Sequence, residues 1–224
     1  MTAAPRIPLL CAGDVLTRDE FERRYAAMPE LKKAELIEGV VYTEPLVRFV
    51  HGHLHALLAG WLGAYAEATP RTEAGILSTL RLDLDNELQP DVLLRIAGDR
   101  GDSHIDDDGY LEGSPELVVE VAASSSSYDL HQKLHVCRRA GVREYLVLRT
   151  EDAAIDWFVL RGGAYERLPA DPRGILRSEV FPGLWLDGPA LLRGDPAALR
   201  AAVTAGTATD AHARFRAQLA SPGT

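Results

Sequence analysis

Two carboxylates set in apolar, strand-length runs are the residues of this chain best suited to chemistry. Leu88-Gln89-Pro90-Asp91-Val92-Leu93-Leu94 carries Asp91, and Pro115-Glu116-Leu117-Val118-Val119-Glu120-Val121 carries Glu120. Val and Leu bounded by loop residues suit strands covered on both faces, and a proline at a strand's first position costs no ladder hydrogen bond. An unpaired anion in such a strand is expensive, costing several kcal/mol to desolvate. Something cationic is therefore expected between Asp91 and Glu120, either a basic side chain or a metal ion.

A basic candidate follows directly. The stretch Tyr128 to Cys137, ended by Gly141 and preceded by Ser124 to Ser127, predicts a serine-capped helix with Leu130, Leu134 and Cys137 as its inward stripe. Asp129 and Lys133 lie four apart beside that stripe. Lysine occurs only at 32, 33 and 133, among 24 basic residues. A compact ammonium contacts a single water or phosphate oxygen better than a broad guanidinium fork does. On spacing alone, an ordinary surface pair between Asp129 and Lys133 accounts for the lysine equally well.

These residues need a scaffold, and 224 residues at 46 % hydrophobic can build one sizeable core. We expect one domain over residues 1–188, with a helical or partly disordered tail over 189–224. Cys11 and Cys137 are too few and too far apart for a disulfide framework or a zinc site. Without a secretory segment or a membrane-length apolar run, the expectation is a soluble cytoplasmic protein. A net charge of −9 argues against nonspecific clinging to nucleic acid, although a local basic patch is compatible with it.

In chain order, Thr17 to Tyr25 predicts a short helix capped by Thr17. Glu35-Leu36-Ile37-Glu38-Gly39-Val40-Val41-Tyr42 predicts a strand bent or bulged at the glycine, with Glu35 and Glu38 on opposite faces. Leu54, Leu57, Leu58, Trp61 and Leu62 recur at helical spacing, so the histidines at 51, 53 and 55 belong to a core helix in which only His51 and His55 share a face. That disfavours zinc, which needs a third ligand. Leu80 to Asp85 alternates as a half-wet strand and turns back into Gln89-Pro90-Asp91 as a hairpin. The acidic stretch from Gly98 to Gly113 predicts a solvated loop. Glu144 to Leu148 completes a strand-helix-strand crossover, residues 155–160 and 164–168 form a hairpin about Arg161-Gly162-Gly163, Ser178 to Leu186 forms a last strand, and Pro196 to Leu219 forms one helix.

As an ordered set, several of these segments carry a resemblance. Glu35 to Gly39, His51, Gln89-Pro90-Asp91, Gly109 to Val121, Asp129, Lys133, Ala140 to Tyr145 and Ser178 to Gly183 resemble the Uma-two family, a group of putative endonucleases in the restriction-endonuclease-like superfamily. The resemblance spans about residues 15–187. It implies an α/β fold, a mixed sheet flanked by helices, with Asp91 and Glu120 binding a divalent metal. The lysine that usually stands two residues after the second acid is replaced by Ala122, and the resemblance assigns its role to Lys133. Ala123-Ser124-Ser125 stands where the family tends to have Ser-Pro-Ser, and Cys137 where it commonly has a helix tyrosine.

The implied activity is phosphodiester hydrolysis with Mg2+ or Mn2+, because two carboxylates offer the hard oxygen ligands such ions favour. Lys133 would orient the water or stabilise transition-state charge. Glu35 could reach the metal from the neighbouring strand, and His51 and Gln89 would line the pocket. DNA is the expected substrate and a homodimer the expected assembly, since cutting both strands needs two sites. The rival expectation is a binding or assembly protein that keeps the fold with a vestigial site, as the negative charge and the lack of a basic stripe would suit.

Overall fold

The computed structural model describes residues 6–43, 48–123 and 131–221. Ser124 to Ser127, Tyr128, Asp129 and Leu130, expected from the sequence to supply a helix cap, an ion pair and part of an apolar stripe, lie outside the described residues. In chain order the elements are α1 (Arg18–Ala26), β1 (Ala34–Ile37), β2 (Val40–Thr43), α2 (Phe49–Ala68), β3 (Thr72–Ile76), β4 (Leu80–Asp83), β5 (Asn86–Leu88), β6 (Val92–Ile96), β7 (Ser103–Ile105) and β8 (Leu111–Gly113). There follow β9 (Leu117–Ala122), α3 (Gln132–Ala140), β10 (Glu144–Arg149), β11 (Ala154–Arg161), β12 (Ala164–Arg167), β13 (Ile175–Arg177), β14 (Trp185–Asp187), α4 (Gly188–Arg193), α5 (Pro196–Thr207) and α6 (Asp210–Ala220).

The strands form two six-stranded sheets and a small hairpin. The first sheet runs β2-β1-β5-β4-β8-β7 and the second β12-β11-β10-β9-β6-β3, with β13 and β14 paired apart. Val92, Leu94, Leu117, Val119, Leu146 and Trp157 face a core built with α2 and the C-terminal helices. Leu93, Val118 and Val147 face the other way, against α3 and against Ile37, Leu80 and Leu88 of the first sheet. A third cluster packs α1, through Phe21, on Leu36 and Val41. Alternation along β6 and β9 thus sends odd-numbered β6 residues and even-numbered β9 residues into the layer between the sheets.

Most expected elements are present. α2 forms because Leu57, Leu58, Trp61, Leu62 and Tyr65 make one buried stripe. Trp61 packs edge-on to Trp157 and donates from Nε1 to the Trp185 carbonyl at 2.9 Å. β9 and β10 pair in parallel, joined through α3, as the crossover pattern predicts.

Several expectations are corrected. Glu38 and Gly39 both take positive φ, 51° and 74°, which makes a two-residue hairpin turn, so residues 34–43 are two antiparallel strands rather than one bulged strand. The run 88–94 is not one strand. β5 ends at Leu88 in one sheet and β6 begins at Val92 in the other, because Pro90 has no N–H to continue a ladder. The hairpin expected there is β4 with β5. The acidic stretch 98–113 holds the β7–β8 hairpin, pinned where Asp106 pairs with Arg81 and accepts from the Tyr110 amide. Residues 178–184 form a turn between β13 and β14 rather than a strand. Thr209 caps a separate helix α6, so residues 196–219 are two helices. Ala190, Leu191, Leu199, Val203 and Leu219 from the segment after residue 188 are buried in the large core.

Candidate active site

The crossing from β5 to β6 brings the site together. β6 and β9 are antiparallel with Val92 opposite Val119, so the same register carried one step further sets Asp91 opposite Glu120. The two carboxylates touch the same stretch of backbone. Asp91 Oδ2 accepts from the Val121 amide at 2.8 Å, and Glu120 Oε2 lies 3.5 Å from the Asp91 amide. Asp91 and Glu120 are 3 % and 2 % exposed.

β1 contributes Glu35, which is turned to the same layer as Ile37. The Gln89 amide donates to Glu35 Oε1 at 2.8 Å. From the opposite side, α3 delivers Lys133, which is fully buried. Its Nζ lies 2.8 Å from Glu35 Oε2 and 3.1 Å from Glu120 Oε1. The surface-pair account of Lys133 therefore fails, since a side chain 0 % exposed is not on the surface. Tyr42 Oη donates to Gln132 Oε1 at 2.7 Å and Arg139 pairs with Glu38 at 2.8 Å, tying α3 to the β1–β2 hairpin that presents Glu35.

His51, in the first turn of α2, approaches the outer oxygen of Asp91, with Nε2 at 3.6 Å from Oδ2. Gln89 plays a divided part. Its backbone serves Glu35, while its side chain turns away, 3.4 Å from both Tyr25 Oη and Thr79 Oγ1, into a cavity of about 590 Å³ bounded by α1 and β4–β5. Glu87 lies in the same cavity, its carboxyl pushed up to about 8 by burial and by Glu22.

One residue of the site was missed. Lys33, just before β1, sets Nζ 3.4 Å from Asp91 Oδ1. The available signal was parity: Lys33 and Glu35 are two apart, so an extended chain sends both to one side. Burial works against the Lys33 charge, but Glu120 and Glu35 outweigh it and hold the ammonium above the ordinary lysine range. Burial likewise works against the charge of Asp91, and the His51 imidazole, the Lys33 ammonium and the Val121 amide outweigh it, holding the carboxyl well below the usual range.

Three carboxylates thus face two ammonium groups in a largely dry layer. Among the described residues, no three His, Cys, Asp or Glu side chains converge as a ready-made metal centre. Lys133 stands between Glu35 and Glu120. No helix among the described residues is long and apolar enough to cross a membrane.

Comparison with known proteins agrees with this architecture. The model of the Uma2 family, described as putative restriction endonuclease, matches residues 18–189. Among solved structures, the chain is similar to a putative nuclease belonging to DUF820 from Anabaena variabilis ATCC 29413, with a TM-score of 0.64 and 16 % identity over 80 % of this chain and 98 % of that one. No curated protein matches the chain. At that identity the structural likeness speaks for the fold, a mixed α/β architecture of restriction-endonuclease-like type. From the first helix to the start of the C-terminal helices, the chain belongs to the Uma2 family.

Proposed function

We propose that the chain is a metal-dependent nuclease that hydrolyses phosphodiester bonds in DNA. The observation that carries this reading is a fully buried lysine, Lys133, bridging Glu35 and Glu120 beside Asp91. A lysine locked against two acids next to a third is costly for stability alone, because desolvating such ions offsets much of their attraction.

The donor set fits Mg2+ or Mn2+. Asp91 and Glu120 supply hard oxygen donors, and three carboxylates exceed the two ammonium charges beside them. The contacts that would give way are long: Lys33 to Asp91 Oδ1 at 3.4 Å and the Asp91 amide to Glu120 Oε2 at 3.5 Å. A bound ion would acidify water and offset charge on the phosphate. Lys133 would hold the attacking water or the developing negative charge, and Glu35 would fix the lysine in place through its own bond from Gln89. His51 would orient Asp91.

The same network supports a second reading, a nuclease-fold binding or assembly protein, because lysines of the chain already meet the carboxylates. Incubating plasmid, single-stranded DNA and RNA with Mg2+ or Mn2+, with a chelator control, separates the two. Wild-type protein should cut in a metal-dependent way and Asp91→Ala should lose on the order of a thousandfold. Absence of cutting on all three substrates with both metals would sink the nuclease reading. Cleavage of both duplex strands asks for a homodimer, and a monomeric mass by light scattering at micromolar concentration would limit the activity to single strands or nicks.

A further inference from the structure

Among the described residues, no large apolar side chain is more exposed than Phe49, at 86 %. Isolated apolar residues on a surface need no account, but this ring is built into a support. Phe49 opens α2, two residues before the His51 that approaches Asp91. Four residues separate it from His53, so the two share a helix face. Their rings lie nearly parallel, 9° apart with centroids at 6.1 Å, an offset stack. Gly194, the left-handed C-cap of α4, comes in against His53: a Cβ there would stand 3.3 Å from Nε2. That brace belongs to the segment beyond residue 189, where the family match ends.

The surroundings of the stack are basic. Arg48 precedes Phe49 and Arg193 precedes Gly194, and both are exposed. The first turn of α2 holds no acid and no side chain caps it, so the positive end of a 20-residue helix lies here too. Asp195, the acid next to Gly194, is turned to α5, where Oδ1 accepts from the Ala198 amide at 3.0 Å. In a chain of net charge −9, this end of α2 is a local exception. An open aromatic ring flanked by cations suits a polyanion that carries free π faces, which describes the bases and phosphates of a single strand. A duplex keeps its bases stacked on one another, and a purely apolar partner would make no use of the cations. Two residues apart on a helix, Phe49 and His51 point to opposite sides, about 10 Å across. A strand with one phosphate at Asp91 therefore meets the ring about two or three nucleotides farther on.

We propose that Phe49, backed by His53, is a base-stacking platform for single-stranded DNA beside the site of cleavage. Arg48 and Arg193 meet phosphates of the same strand. Phe49 touches no reacting atom and is a positioning residue: it favours an unpaired strand over a duplex and adds to binding rather than to the chemical step. This inference deepens the nuclease reading and rests on it.

The test measures binding to full-length wild type, Phe49→Ala and Phe49→Trp by fluorescence anisotropy, in a chelator so that nothing is cut. The probes are an oligothymidine, a duplex of equal length and an abasic strand of equal length, which keeps the phosphates and lacks the bases. Phe49→Ala should weaken oligothymidine binding about fivefold to a hundredfold, the loss of one base stack. It should leave the duplex and the abasic strand unchanged, and Phe49→Trp should bind oligothymidine at least as well as the wild type. With Mn2+ present, Phe49→Ala should raise KM for the oligothymidine by a similar factor and keep kcat within about twofold. Unchanged oligothymidine affinity in Phe49→Ala, or equal losses on all three probes, overturns the platform. A changed mass of Phe49→Ala by light scattering does so too, since the patch is then a contact between copies. If the wild type binds oligothymidine through Phe49 yet cuts nothing with Mg2+ or Mn2+, the platform stands and the nuclease reading falls. If the wild type cuts and Phe49→Ala binds as it does, only the platform falls. A wild type that binds no oligothymidine overturns the platform whether or not it cuts a duplex.

Discussion

Glu120 and Glu144 stand on neighbouring parallel strands, β9 and β10, and both are buried, yet the chain satisfies them by opposite means. Glu144 is held by neutral donors: the Ser178 hydroxyl at 2.7 Å and the amides of Glu179 and Val180 at 2.8 and 3.2 Å. Burial pushes its carboxyl up to about 7. Glu116 is treated alike, accepting from the Ile96 and Asp102 amides, and burial raises it too. Glu120, Glu35 and Asp91 instead meet ammonium groups. A buried carboxylate is therefore no sign of chemistry by itself. Neutral donors make a latch in which burial favours the protonated carboxyl, whereas cationic partners favour a charged one.

The largest break in that contrast should come from Lys133→Met. Removing the fully buried ammonium takes away its contacts to both Glu35 and Glu120, and we expect a loss of about 3–5 kcal/mol in denaturant unfolding. Lys133→Arg should rescue little of this, because a broad guanidinium fork does not reproduce the contacts of a compact ammonium to two carboxylates at 2.8 and 3.1 Å. A loss below about 1 kcal/mol would mean that the cluster relaxes or takes in water, contrary to its buried geometry. On the neutral side, Ser178→Ala removes one donor from Glu144 and should cost about 1–3 kcal/mol. Cleavage should be unaffected, since Ser178 lies at the β13–β14 turn, away from the carboxylates of the site.

A smaller effect sharpens the comparison through pH. Glu144 keeps its proton in the folded state up to about pH 7, above the ordinary 4.5. Its contribution to stability is full below pH 4.5 and is lost as pH rises through 7. Asp91 runs the other way: with its pKa held below the ordinary 3.8, its contribution is present above that pH and is lost on acidification. Between pH 5 and 8 the melting temperature of the wild type should therefore fall relative to that of Glu144→Gln, by about 2–4 °C for each kcal/mol involved. Parallel profiles would remove the latch assignment. The smallest effect belongs to Arg139→Ala. Its pair with Glu38 is nearly half exposed on both sides and should contribute about 0.2–1 kcal/mol.

Much of the site is legible in the sequence because its residues lie where local rules hold. Asp91 and Glu120 stand out as charges in apolar runs, and Lys133 as a lysine in a chain that prefers arginine. Lys33 is less legible, since a lysine beside Lys32 before a short strand looks like solvated surface until its parity with Glu35 is linked to the carboxylates on β6 and β9. The break at Pro90 shows the same limit. Periodicity marks apolar residues on both sides of it but does not reveal that they join different sheets. The β7–β8 hairpin escaped because three-residue strands carry too little pattern, and its acidic residues are balanced by Arg81, which is remote in sequence. The neutral donors of Glu144 come from a turn 34 residues away, a distance across which local pattern is silent.

The passage of the chain from one sheet to the other at Pro90-Asp91 has a consequence for how the molecule comes into being. Lys33 and Glu35 arrive with the first sheet, Glu120 with the second and Lys133 with the helix laid between them, so no half-built chain holds the complete set. A one-residue slip of β6 against β9 would also turn Asp91 out of the shared layer. The complete charged cluster thus requires both layers to be docked and is dispersed when they part. A copy whose two layers are apart therefore lacks the assembled cluster.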